Sequence, residues 1–206
     1  MSWPDENEFH LNLKKYKFPF EPRYVFLFSG HMIDAPERKS PRFPAEKEPA
    51  AAAAISLKLD EMDAGPEDIG LCGGACGGDL LFAEACLKRG TNLHIRIPFD
   101  EPTFLKKSVT FAGGNWRDRY YAVKNNEWTT LFVMPEELGP TPENVNPYER
   151  NNLWQLYTAF FIGPEKVWFL CLWDGKGGDG LGGTKHMVEE VKKHSGRVTI
   201  INTNNL

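Results

Sequence analysis

The sequence predicts an α/β protein of three layers, with helices packed on both faces of a mainly parallel sheet of about six strands. Three observations predict it. Short apolar runs alternate along the chain with segments of helical spacing. The runs are apolar at consecutive positions rather than at every second one, the pattern of strands buried on both faces. Glycine-rich loops stand between a strand and the helix after it, as the connections of βαβ units do.

The elements come in a regular order. Tyr24-Val25-Phe26-Leu27-Phe28 reads as a buried strand that opens into a loop at Ser29-Gly30. Pro44 to Met62 reads as a helix, and its alanine run at residues 50–54 favours close packing against a neighbour. Gly65-Pro66 breaks the chain before a short second strand, Ile69-Gly70-Leu71-Cys72. Gly73 to Asp79 is a glycine-rich loop, and Leu80 to Leu87 is an apolar helix stopped at Gly90. Leu93 to Ile97 is a third strand, closed by Pro98. Residues 101–111 and 116–125 are expected to be helical, and 129–134 to form the fourth strand. Tyr148 to Phe161 has helical spacing. Val167 to Trp173 is a fifth strand, dense enough in apolar residues to be central. A second glycine-rich loop, Asp174 to Gly183, precedes a helix over 184–194 and a last strand over 198–201. This order of elements is Rossmann-like. With no internal repeat and no dividing linker, one domain over residues 1–206 is expected, residues 1–22 being an N-terminal extension.

Composition narrows the functional classes. The chain has 206 residues, 41% hydrophobic and 25% charged, the balance of a soluble globular protein. A net charge of -4 provides no global basic field for a polyanion, so nucleic acid is not an expected partner. No apolar run approaches the roughly 18–20 residues that span a bilayer, and the polar first residues lack a signal peptide's apolar core. No membrane partner and a cytoplasmic location are therefore expected; a homo-oligomer is compatible with the sequence. Cys72, Cys76, Cys86 and Cys171 make no CxxC pair and have no paired histidines beside them. They read as small buried residues, with no metal site and no cofactor motif.

In an open parallel sheet the ligand crevice lies beyond the carboxyl ends of the strands. Three loops occupy such places. The first holds Gly30, His31 and Asp34, followed by the cations Arg38, Lys39 and Arg42. The second holds Gly73, Gly74, Gly77, Gly78 and Asp79. Glycines before a helix N-terminus let backbone N–H groups approach a phosphate; a tight turn is the plainer explanation. Asp79 either caps the helix or hydrogen-bonds a ribose hydroxyl. The third loop holds Gly182, Gly183 and Thr184, with Trp173 and Asp174 before it to stack on a base and bind a hydroxyl. Asn151 or Asn152, in a polar stretch at the start of a helix, is placed to read a base or ribose, although turn formation accounts for asparagines there too.

Gly73-Gly74-x-x-Gly77-Gly78-Asp79-Leu80-Leu81-x-Ala83, followed by the strand at 93–97 and Pro98, resembles the first signature of the SLOG superfamily. That group includes the LOG phosphoribohydrolases and the lysine-decarboxylase-like proteins. Gly182-Gly183-Thr184 before Glu189-Glu190 resembles its second signature, Gly-Gly-x-Gly-Thr-x-x-Glu. The resemblance implies a Rossmann-like nucleotide-binding domain. It also implies an acidic residue about one turn after the threonine. Here the first candidate, Glu189, stands five residues on, at about 500° of helix rotation, and so about 140° off the face of Thr184. The displaced acid favours the sensing branch of the superfamily, a module that binds a phosphate-bearing nucleotide or nucleotide derivative. The other reading is an enzyme acting on an N-glycosidic bond, with Asp34, Asp79, Glu84 or Asp174 as its carboxylate.

Overall fold

The computed structural model describes residues 20–176 and 183–206. Six parallel strands form one sheet in the order β4-β3-β2-β1-β5-β6. They are β1 (Val25–Gly30), β2 (Ile69–Cys72), β3 (Asn92–Ile97), β4 (Thr129–Val133), β5 (Val167–Trp173) and β6 (Val198–Asn202). The expected architecture is thus present: a three-layer α/β fold of the Rossmann-like kind. The chain lays down β1 to β4 in one direction, then crosses back to place β5 on the other side of β1. Strand order reverses between β1 and β5, so the crevice of an open sheet belongs at their carboxyl ends.

Side chains alternate between two cores. Phe26, Phe28, Leu170 and Leu172 face one side, with the helices α1 (Glu48–Glu61), α2 (Gly78–Leu87) and α4 (Trp116–Lys124). Val25, Leu27, Phe169 and Cys171 face the other, with α5 (Met134–Leu138), α6 (Pro147–Ile162) and α7 (Thr184–His194). Burial on both faces is why β1 and β5 are apolar at successive positions. Between β3 and α4 runs α3 (Glu101–Phe104), capped by Asp100, whose carboxylate accepts from the Thr103 amide at 2.9 Å. A π-helical turn over Leu105–Val109 continues it.

Two boundaries differ from expectation. The fourth strand ends at Val133, because Pro135 sits in the first turn of α5 and takes the chain out of the sheet. The segment expected to be helical to Phe111 leaves α-geometry at Leu105.

The amino ends of the strands are held by Asp68, which is fully buried. It accepts from Arg23 Nε at 3.1 Å and Nη2 at 2.8 Å, from the Tyr24 amide at 3.1 Å and from the Gly65 amide at 2.9 Å. Asp68→Ala orphans both amides and is expected to cost about 2–3 kcal/mol in urea denaturation. Because this clamp is at the far end of the strands from their carboxyl ends, the loops there should keep their arrangement in the variant.

All four cysteines are buried free thiols. Burial pushes Cys76 and Cys171 up to about 12, so neither is a thiolate near neutrality. Among the described residues no helix is long and apolar enough to cross a membrane.

Candidate functional site

A cavity of about 290 Å³ opens beyond the carboxyl ends of β1, β2 and β3. It gathers parts of all three loops: Ser29, Gly30 and His31 from the first, Gly73 and Asp79 from the second, Gly183 and Thr184 from the third. Arg42, Ser108, Tyr148, Asn151, Asn152 and Gln155 complete its polar lining, with Phe28, Met32, Pro98 and Phe104 as apolar patches. Ser29 Oγ and Thr184 Oγ1 meet at 3.5 Å across the junction of β1 and α7.

The glycine-rich loop after β2 is built differently from the expected N–H cradle. Its amides are largely spent within the protein. The Ala75 amide donates to Asp79 Oδ2 at 3.2 Å, the Cys76 amide to the Ser108 carbonyl at 2.8 Å, and the Gly78 amide to the His31 carbonyl at 3.0 Å. Gly77 is the residue that lets the first two loops meet. It has φ +96°, and a Cβ on it would lie 2.6 Å from the Ile33 nitrogen and 2.9 Å from the His31 oxygen. Met32 and Gly77 form an isolated antiparallel bridge at this contact. Gly74 is buried against Ile95, outside the cavity lining. The loop therefore shapes the cavity more than it donates into it.

The four candidate carboxylates separate clearly. Asp34 is a loop staple: its Oδ2 accepts from the Arg42 and Phe43 amides at 2.7 and 2.8 Å, and Arg38 Nε lies 3.2 Å from Oδ1. Glu84 lies away from the cavity, held by two hydrogen bonds from Arg119 at 2.6 and 2.7 Å; Arg119 also binds Glu48. Asp174 holds His31, with His31 Nε2 3.1 Å from its Oδ1 and the Lys176 amide donating to the same oxygen at 2.8 Å. Burial lowers the His31 value, so the ring is neutral near pH 7, and the Asp174 amide donates to its Nε2 at 3.1 Å. Burial would raise Asp174, but the Lys176 amide and His31 outweigh it and hold the group below the ordinary carboxylate range. Of the four, Asp79 alone lines the cavity.

Asp79 does not cap α2, whose N-cap is Gly77. From the second helical position its side chain folds back over the loop. It keeps some exposure to the cavity while lying deep beneath the molecular surface. Burial pushes it up to about 7, against the lowering effect of the Ala75, Gly30 and Gly73 amides. No cation pairs with it among the described residues.

The remaining candidate residues fall at varied distances from the cavity. Trp173 turns its Nε1–H to the Lys176 carbonyl at 3.2 Å and is not among the cavity's lining residues. Thr184 is the first residue of α7, and Gly183 is its N-cap. Gly182 lies outside the described residues. Glu189 is exposed on α7 and does not reach the cavity. Asn146 caps α6 by accepting from the Tyr148 amide at 2.9 Å, and Asn151 and Asn152 stand within the helix on the cavity lining. By sequence alone the cluster Arg38, Lys39 and Arg42 either lines an anion pocket or is a solvated basic patch. In the fold Arg42 lines the cavity, and its Nε is buried with no hydrogen-bond partner. Gln155 is a lining residue that the sequence pattern did not single out.

Among the described residues no group of three His, Cys, Asp or Glu side chains is arranged to hold a metal ion. No family model matches the chain, and no curated protein matches it. A solved structure, DNA processing protein A (DprA) from Streptococcus pneumoniae, is similar over 91% of this chain at 13% sequence identity and a TM-score of 0.39. The chain spans 59% of that protein's length.

Proposed function

We propose that the cavity binds a small phosphate-bearing nucleotide or nucleotide derivative and that the protein acts as its sensor. The observation that carries this reading is Arg42, a guanidinium on the cavity wall whose Nε is buried without a hydrogen-bond partner. A half-buried cation with an unpaired buried N–H favours an anionic ligand. The volume of about 290 Å³ is at the small end for ligand sites and suits a mononucleotide better than a dinucleotide. Tyr148 and Phe104 offer aromatic surface for a base, and the reversal of strand order is where open α/β sheets take ligands.

Nucleoside 5′-monophosphates at millimolar concentration are expected to raise the melting temperature, since a ligand that binds only the native state stabilises by RT ln(1 + [L]/Kd). Arg42→Ala should weaken binding about 10–100-fold, the worth of a charge-assisted contact, while leaving the fold intact by circular dichroism. Unchanged affinity in that variant would sink the reading. One observation favours a second reading, an N-glycosidic hydrolase or transferase: Asp79 has a value near neutrality, which suits proton transfer. Chromatography after prolonged incubation separates the two. A sensor returns the nucleotide intact; an enzyme releases free base, and Asp79→Asn abolishes the release.

A further inference from the structure

The hydrogen-bonding character of the cavity bears on the sugar of the proposed ligand, an inference that rests on the nucleotide reading above. The cavity wall contributed by α2 and α6 is rich in acceptors. Asn151 and Gln155 are four residues apart on α6 and so share one face of it. Both are almost wholly buried, at 3% and 1% exposure. Asn151 Nδ2 donates to the Arg96 carbonyl at 2.7 Å, which fixes the amide with its oxygen turned the other way. That oxygen has no hydrogen-bond partner, and neither has Gln155 Oε1. Asp79 adds a carboxyl to the same wall. A Cβ placed on Gly73 would lie 2.8 Å from Asp79 Oδ2 and 3.6 Å from Gln155 Nε2, so these two side chains converge over Gly73.

Acceptors of this kind call for donors on the ligand. Phosphate oxygens are themselves acceptors and are disfavoured here, which leaves the Arg42 side of the cavity for the phosphate. Hydroxyl groups on adjacent carbons supply two donors at short spacing, from one small ring. We propose that Asp79, Asn151 and Gln155 hold the vicinal hydroxyls of a ribose, making the site selective for ribonucleotides over their 2′-deoxy forms.

Isothermal titration tests this with matched pairs: ribose 5-phosphate against 2-deoxyribose 5-phosphate, and nucleoside 5′-monophosphates against their 2′-deoxy counterparts. In the wild type the ribo form should bind about 30-fold more tightly, because removing one hydroxyl leaves a buried acceptor unpaired. Asp79→Asn and Gln155→Met should each cut that ratio to about fivefold or less, with the fold of each variant checked by circular dichroism. The ribo-to-deoxy ratio should rise with pH through about 7 in the wild type, as Asp79 becomes the stronger acceptor, and stay flat in Asp79→Asn. Taking the ratio cancels the phosphate's own titration. Equal affinity for both members of every pair overturns the ribose assignment while the nucleotide reading stands. Binding of neither member overturns both.

Discussion

Gly77→Ala is expected to destabilise the protein by about 3–4 kcal/mol and to abolish the proposed ligand binding with it. Two costs combine. At φ +96° and ψ -131° an L side chain is strained by about 1–3 kcal/mol. The new Cβ would also meet the Ile33 nitrogen, the His31 oxygen and the Met32 carbonyl carbon at 2.6, 2.9 and 3.0 Å. All three are backbone atoms, so no rotamer change relieves the contact. The loops must separate, breaking the hydrogen bond from the Gly78 amide to the His31 carbonyl and displacing His31 from the cavity. Gly77→Asp should act in the same way, through the collision rather than through its charge. Gly65→Ala is the control: nothing lies within 4 Å of its Cβ position, and its effect should stay within about 0.5 kcal/mol. Urea denaturation of the two alanine variants decides the matter; equal midpoints would contradict the account.

The second large effect is a dependence of stability on pH carried by Asp79. Its value in the folded protein is about 7, against about 3.9 for an aspartate in an unfolded chain. A folded value raised in this way means that the native state holds its proton more tightly than the unfolded state does. The associated stability is complete below about pH 4 and is lost as pH rises toward about 7, after which the loss is constant. The loss amounts to as much as about 4 kcal/mol. Asp79→Asn removes it, and the neutral amide can still accept from the Ala75 amide. The variant should therefore gain on the wild type by as much as about 3 kcal/mol between pH 4.5 and pH 8, a difference in which the other carboxylates cancel. Urea midpoints that move in parallel over that range would show that the carboxyl is ordinary.

The fold was legible wherever burial on both faces writes itself as consecutive apolar residues. β2 and β5 run from Ile69 to Cys72 and from Val167 to Trp173, as expected, because Gly/Pro breaks and polar turns bound them on each side. α5 was not expected, although Pro135 followed by Glu136 and Glu137 is an ordinary helix-start signal. The apolar run through Met134 masked it.

The convergence of the three loops on one cavity was also legible, since a parallel sheet puts every strand-to-helix loop at one end. The roles of its residues were not. Whether a glycine amide is free depends on who accepts from it, and the acceptors of the Cys76 and Gly78 amides, Ser108 and His31, are more than thirty residues away in sequence. Likewise, nothing local says that Glu84 pairs with Arg119 while Asp79 faces a cavity. Gln155 left one signal: it is a polar residue among Leu153, Trp154 and Leu156 on a helix otherwise turned to the core. Such a residue is buried for a reason that lies outside its own helix.

The π-helical turn at Leu105–Val109 closes with a hydrogen bond from the Thr110 amide to the Leu105 carbonyl, five residues back, at 2.9 Å. It delivers two groups of one residue: the Ser108 carbonyl accepts from Cys76, and its hydroxyl lies 3.3 Å from the Tyr148 hydroxyl. One residue fewer here would restore ordinary α-geometry and swing the downstream chain by about 100°. The helix would survive such a deletion, but the Cys76 amide and the Tyr148 hydroxyl would each lose their companion. The length of this segment is therefore inherited as a property of the cavity, and a chain of similar composition but one residue shorter between Phe104 and Thr110 would keep the fold while building a different pocket.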